Sequence, residues 1–580
     1  MERTPLRFIL TPVVALLALL AFPATTFAAA PGDARDDGDD GHGAAIVSPE
    51  RLYLVIHARG LEDAAQEWAD YRATRGWNAE AIAATDAAGL LPPHWNDAQL
   101  MREGLRQYFR DRFGQAQLRG VTGADFAVLL LGDVEAPDGS LAIATWPKPN
   151  LIASLRSGDP MDERIVGDHD YQRLDDDDDR PDFLLGRVPA RSNAEAIALL
   201  ERIRRYENDT PRGPWRRRMN FIASEPGFGF VDGAIERAVE LVLDTYTPAE
   251  FDLSMTYASS RSPYCPPPAR LAAITAERFT EGALLVAYVG HGHARMLDRL
   301  IWNRRAFEIF DFDAFDANTV DGARFPILFL LACSTGAFDD PEGAPSLAER
   351  LLFHDAGPVA IIAGSRPTHP YANGLYLKDL LDHLATERRP TIGAVYLAAT
   401  RGLVDLDDDD RLMEFLSGPI LRANGEFATP ATIRAAHLRL YNLLGDPALE
   451  IAYPAERLDD LRVESGRLIG HAPNFTEGRA TISIETARRD MPRASEMDPA
   501  FGRDDPELER KAALNYPLAN DKVLRQTVVP VVNGRFEVAL TAGDGLGDLD
   551  ATPRWIKVYL TGSDGDAFGA IPWPAGLDTP

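Results

Sequence analysis

Six continuous apolar stretches constrain this chain more than any other feature: Leu52–Ile56, Phe126–Leu131, Asn220–Ala223, Ala283–Val289, Pro326–Ala332 and Pro358–Ala363. Runs without polar alternation belong to strands buried on both faces of a largely parallel sheet. Helical spacing fills the gaps between them. Ala64–Thr74 stops at Gly76, and Ser192 with Glu195 forms a capping box that opens Asn193–Tyr206, just after a short strand at Phe183–Leu185. A second box, Ser346 with Glu349, opens Ser346–His354, which stops at Gly357. The alternation predicts an α/β fold with mostly parallel sheets flanked by helices.

Composition shifts divide the 580 residues. Arg3 and Arg7 precede an apolar run, Phe8 to Phe22, and small residues follow at Ala28–Ala30. That is the pattern of a secretory signal peptide over 1–30, with a Gly- and Asp-rich leader over 31–48. The run is short for a membrane span and Pro12 interrupts it, so cleavage is expected rather than stable membrane insertion. The protein is therefore expected to be secreted, periplasmic or on the cell surface. The Pro- and Arg-rich stretch Pro211–Arg218 suggests a boundary between α/β units over 49–214 and 215–455. From about 456 the pattern turns to alternation, at Ala480–Glu485, Arg535–Leu540 and Trp555–Leu560, which predicts an antiparallel β-sandwich over 456–580. Acidic residues outnumber basic ones 88 to 60, a net charge of −28 that argues against nucleic acid as a partner. Two cysteines exclude a disulfide scaffold and a four-thiolate metal site.

In open parallel sheets, sites form beyond the carboxyl ends of the strands. Ala283–Val289 runs into Gly290, His291, Gly292 and His293, and Pro326–Ala332 runs into Cys333, Ser334, Thr335 and Gly336. About 40 residues separate the imidazole from the thiol, enough for the crossover that parallel neighbours need. If the two strands pair, Cys333 is a thiolate nucleophile and His291 its base. The backbone N–H groups of Gly292 and Cys333 then form an oxyanion hole. Alone, each residue has a plain alternative: a packed thiol for Cys333, a turn residue for His291, a solvent-facing side chain or substrate contact for His293. A disulfide between Cys265 and Cys333 is the sharper competitor in an oxidising compartment.

These residues resemble the gingipain family of cysteine endopeptidases, in the caspase-like clan. The resemblance rests on Tyr288-Val289-Gly290-His291-Gly292 and on Leu331-Ala332-Cys333 followed by Gly336 and Phe338. Supporting matches are Leu130–Asp133, Gly186–Arg191, Gly357–Ala363 and Tyr441–Pro447. It covers residues 50 to 455 and implies two caspase-like subdomains, then an immunoglobulin-like β domain. It also implies an exported enzyme that cleaves protein or peptide substrates through an acyl-enzyme. The family's third catalytic member is an acidic residue where this chain has Arg191, which leaves Asp168, Asp170, Glu195 or a bare Cys–His dyad. Ser365, Arg366 and Glu201 are candidate substrate contacts.

The acidic loop carries Asp168, Asp170, Asp175, Asp177, Asp179 and Asp182, oxygen ligands suited to a structural Ca²⁺ that the family also implies; a solvated acidic loop is the alternative. No cofactor is expected for the chemistry. Two other functions remain open: a sortase-like transpeptidase of the same family, and a catalytically silent cell-surface binding protein.

Overall fold

The computed structural model describes residues 50–92, 94–134, 155–157, 165–174, 178–229, 232–340, 344–418, 429–498, 505–540, 552–563 and 565–574. The signal peptide and leader expected over 1–48 lie outside them, as do Asp175 and Asp177.

The predicted apolar runs become the strands of one ten-stranded sheet. These are β1 (Leu52–His57), β2 (Asn78–Ala83), β3 (Phe126–Leu131), β4 (Leu184–Val188), β5 (Arg218–Ser224), β6 (Asp252–Ala258), β7 (Leu285–Val289), β8 (Ile327–Leu331), β9 (Ala360–Gly364) and β10 (Tyr441–Leu444). Their order is β2-β1-β3-β4-β10-β9-β8-β7-β5-β6, and every pairing is parallel except β9 with β10. The inner runs β1, β3, β8 and β9 are buried at every position, as strands covered by helices on both faces must be.

The two predicted α/β units share this sheet rather than building one each. β1–β4 come from the first and β5–β10 from the second, and they join where Leu444 of β10 pairs with Arg187 of β4. Buried chemistry locks the joint. The Asp446 carboxylate, 0% exposed, accepts from Tyr53 (2.9 Å), Trp68 Nε1 (2.6 Å) and Arg72 Nε (2.7 Å) of the first unit. Arg72 is held above its ordinary range by Asp446 and Glu207, which outweigh the cost of its burial. Removing one partner from such a group leaves an uncompensated buried charge, which costs about 3–5 kcal/mol.

Capping follows the sequence. Ser192 accepts from the Glu195 N–H at the head of the Asn193–Asn208 helix. Ser346 and Glu349 cap one another reciprocally at the Leu347–Leu352 helix, which ends earlier than its spacing suggests.

Beyond β10, eight strands form ladders that are antiparallel apart from a two-residue pairing of Glu456–Arg457 with Ala567–Phe568. One ladder is centred on Glu477–Glu485 and another on Arg467–His471. Among the described residues their strands pair at the tight turn Val532/Arg535, and they enclose one core that includes Leu468, Phe536, Ile482 and Val558. A helix, Leu508–Asn520, interrupts the strand pattern. The domain is anchored to the main sheet. Lys557 Nζ contacts Glu485 (2.6 Å) and Asp252 of β6 (3.2 Å), and Arg217 also pairs with Asp252. Among the described residues no helix is long and apolar enough to cross a membrane.

Candidate active site

β7 and β8 are neighbours, parallel and in register, with Val289 opposite Leu331. His291 and Cys333 each stand two residues past that pair, so the sheet delivers imidazole and thiol to the same edge. Glycine lets the two turns close on each other. A Cβ at Gly292 would lie 2.8 Å from Thr335 Cγ2, 2.9 Å from Ala332 Cβ and 3.1 Å from the Cys333 carbonyl oxygen. Only a residue without a side chain fits between the His turn and the Cys turn. Gly290 is packed as closely, its virtual Cβ falling 2.3 Å from Ser224 Oγ.

The imidazole is held on several sides. His291 N–H donates to Ser224 Oγ (3.1 Å), and the Tyr288 hydroxyl donates to the His291 carbonyl (2.6 Å). Burial pushes the Tyr288 phenol far above its ordinary range, which keeps it a neutral donor. The ring Nε2 lies 2.5 Å from the Pro226 carbonyl oxygen, and Phe228 packs against the ring with centroids 5.5 Å apart. A carbonyl can only accept, so Nε2 carries the proton and the lone pair lies on Nδ1.

Cys333 is half-buried and free, as is the buried Cys265, so the disulfide alternative is excluded. The Thr368 N–H donates to Cys333 Sγ at 3.3 Å, and the Thr368 hydroxyl and carbonyl oxygens each lie 3.7 Å from the sulfur. Ser334, next in the chain, holds a left-handed φ of 58°, an uncommon conformation for a residue with a side chain. Its N–H donates to the Arg366 carbonyl (3.1 Å). His291 and Cys333 line one large cavity of about 3280 Å³, together with Glu225–Gly229, Thr368, Tyr371 and the Asp232–Tyr246 helix.

The chain matches the family model for peptidase family C25 over residues 47–452, from before β1 to just past β10. It belongs to that family. It is accordingly a cysteine-type endopeptidase of the gingipain family, with peptide substrates. No curated protein matches the chain. Among solved structures it is similar to the Arg-specific cysteine proteinase gingipain R (RgpB), with 17% identity, 90% of this chain and 98% of that one covered, and a TM-score of 0.49. It is also similar to the complex of the RgpB pro- and mature domains from Porphyromonas gingivalis, with 16% identity, 89% and 100% covered, and a TM-score of 0.47.

Several expectations about this C25 chain need correction. No carboxylate from Asp168, Asp170 or Glu195 orients His291; that partner is the Pro226 carbonyl, which sequence reading missed. Asp168 makes a bidentate pair with Arg187 (2.6 and 2.8 Å), and Glu195 accepts from the Arg191 N–H. Arg191 bridges Asp133 (2.9 Å) and Glu349 (3.4 Å); burial and then Glu349 push the Asp133 carboxyl up to about 8. As substrate contacts, Ser365 and Arg366 fail. Ser365 is 0% exposed and its hydroxyl donates to the Val166 carbonyl, while Arg366 forks onto Asp339 (2.9 and 2.7 Å). The cavity is lined instead by the following residues, Thr368, Pro370 and Tyr371. Glu201 sits exposed on its helix, paired with Arg204 and outside the cavity. His293 is exposed and also outside it.

The described part of the acidic loop does not fit calcium. Asp168 is taken by Arg187, Asp170 and Asp179 by Arg173 and Arg439, and Asp182 accepts from the Leu174 N–H. A cation would have to displace three guanidinium groups already in place.

Proposed function

We propose that Cys333 is the nucleophile and His291 the general base of an exported cysteine endopeptidase. The observation carrying this reading is the register of β7 with β8, which places both groups two residues beyond one paired position, above a shared cavity. His291 Nδ1 takes the thiol proton, and the sulfur attacks the scissile carbonyl. The same nitrogen then protonates the leaving amine. A water deprotonated at Nδ1 releases the acyl group from Cys333. The oxyanion is held by the N–H groups of Cys333 and Gly292. Gly292 pairs with Leu297 one step outside the closing pair of a two-residue hairpin, and alternation of the ladder turns its N–H away from that partner.

Export is supported by the charged, apolar and small-residue succession over 1–30, and an immunoglobulin-like assignment of the C-terminal domain by its two antiparallel ladders around one core. The test compares wild type, Cys333→Ala and His291→Ala on a fluorogenic peptide library, with an added amine acceptor in a parallel arm. Hydrolysis by wild type and loss of at least 10³-fold in both variants is the expected result. Unchanged cleavage by Cys333→Ala refutes the assignment, and exclusive transfer to the amine refutes hydrolysis.

A further inference from the structure

The sulfur of Cys333 faces a polar assembly for which the thiol–imidazole pair alone has no use. Thr368 presents its backbone N–H at 3.3 Å and its hydroxyl at 3.7 Å. Asn373, on the first turn of the Pro370–Leu381 helix, donates from Nδ2 to the Thr368 hydroxyl oxygen at 2.9 Å. The Asn373 Oδ1 in turn accepts from the hydroxyl of Tyr441 on β10, also at 2.9 Å. Tyr441 is fully buried, and burial raises its phenol well above the ordinary range, so it remains a donor throughout the working pH range. Its oxygen also accepts from the Thr368 hydroxyl, and its phenol feels the charge of Cys333.

The directions of these bonds agree. Tyr441 O–H donates to Asn373, which fixes which end of the amide faces Thr368. Asn373 N–H then occupies a lone pair of the Thr368 oxygen, and the hydroxyl hydrogen is shared between the two acceptors beside it, the Cys333 sulfur and the Tyr441 phenol oxygen. Each bond polarises the next toward Cys333. The Thr368 segment is further pinned by two neutral imidazoles. The His369 N–H donates to His437 Nε2 (2.9 Å), and His369 Nδ1 accepts from the Tyr371 N–H (3.2 Å).

We propose that Tyr441, Asn373 and Thr368 form a donor relay that holds the Cys333 sulfur as a thiolate, with Thr368 in contact with the reacting atom and Asn373 as its positioning residue. The relay rests on the reading of Cys333 as nucleophile and explains what stabilises its negative charge before attack. Charge-assisted hydrogen bonds are about twice as strong as neutral ones, and these two donors flank the one atom whose charge changes; the Thr368 carbonyl, also at 3.7 Å, accepts from the neutral thiol, and the relay works against it. Among the described residues, Tyr288 of β7 feels the charge of Cys333, Glu225, His291 and Tyr371 line the same cavity, and Asp339, Arg366 and His369 lie in the turn of Cys333 and the segment of Thr368. None of them is altered by the substitutions below.

The test is the pH profile of iodoacetamide alkylation at Cys333, read by mass spectrometry of that peptide, in full-length Thr368→Val, Thr368→Ser and Asn373→Ala. Thr368→Val and Asn373→Ala are expected to move the alkylation midpoint upward by about one pH unit, the worth of one charge-assisted hydrogen bond. The rate of peptide hydrolysis at neutral pH should fall about tenfold through kcat, with KM unchanged. Thr368→Ser keeps the hydroxyl and should match wild type in both measurements. A Thr368→Val midpoint equal to that of wild type overturns the relay, and so does an equal shift in Thr368→Ser. Alkylation does not require turnover, so failure of the nucleophile assignment, seen as activity in Cys333→Ala, is read separately.

Discussion

Gly292→Ala tests the architecture of the site through a single methyl group. The added Cβ would meet three atoms of the opposing turn, at 2.8, 2.9 and 3.1 Å. Carbon atoms rest at about 3.5–4.0 Å, so roughly 0.7 Å of separation must be found. Ala332 and Thr335 are 0% exposed and have nowhere to retreat, and the third contact is backbone. The Cys333 turn and the His291 turn must therefore move apart. Overpacking of this kind costs about 1–3 kcal/mol of stability. A displacement approaching 1 Å between reacting groups costs about 10² in rate. We expect kcat/KM on a fluorogenic peptide to fall about a hundredfold, with a small decrease in the urea midpoint. Gly114→Ala is the matched control, since a Cβ there meets nothing within 4 Å and the residue lies inside the Ala98–Gln117 helix. It should stabilise by about 0.5–1 kcal/mol and leave turnover alone. Activity of Gly292→Ala within twofold of wild type would show that the two turns do not define the reacting geometry.

Three further outcomes follow from the same contacts. Arg488 of the C-terminal domain donates to the carbonyls of Leu243 (3.2 Å), Thr247 (2.5 Å), Pro248 (2.7 Å) and Phe251 (3.4 Å), closing the end of the Asp232–Tyr246 helix whose start adjoins the Pro226 loop. Arg488→Ala should cost about 2 kcal/mol in denaturant titrations and lower hydrolysis severalfold, and full activity would uncouple the β domain from the site. Gly227 has φ +72 and a virtual Cβ 3.4 Å from His291 Nε2, so Gly227→Ala should strain the loop by about 1–2 kcal/mol and reduce kcat; an unchanged kcat would contradict it. His437 is buried, its Nδ1 donating to the Ile433 carbonyl, and burial pushes its pKa down to about 3. The unfolded chain binds the extra proton below about pH 6.5, so this contribution is intact above 6.5 and lost as pH falls toward 3. The stability difference between wild type and His437→Gln should shrink by about 3 kcal/mol from pH 7 to pH 4, and a difference independent of pH would rule this out.

What could be read from the sequence tracks how local the physics is. Runs buried on both faces announce themselves, and β1, β3, β8 and β9 lie where the apolar stretches are. The edge strands do not. β2 reads NAEAIA and β6 reads DLSMTYA, half-exposed segments whose pairing depends on neighbours far along the chain. β10 is four residues long, and its place between β4 and β9 is set by Asp446, an acidic residue after a glycine that looks like a surface turn until Tyr53, Trp68 and Arg72 are seen to enclose it. His291 and Cys333 were legible because each ends its own strand. Thr368 and Asn373 were not, because Thr368 meets Cys333 across 35 residues of chain and Asn373 meets Tyr441 across 68.

The orienting partner of His291 could not have been found by looking for an acid, and the reason is chemical. A carboxylate adds a charge that stabilises imidazolium as well as fixing the ring; a carbonyl fixes the ring and the tautomer with a dipole alone. The Pro226 carbonyl therefore supplies direction alone. Any residue type offers a carbonyl, so position 226 carries no side-chain signature and resists functional loss by substitution. The sensitivity moves to what shapes the loop: Gly227 with its left-handed φ, Phe228 against the ring, and the helix that Arg488 closes from the other domain. In the proposed mechanism, the geometry between His291 and Cys333 then depends on the packing of a β domain that supplies neither group.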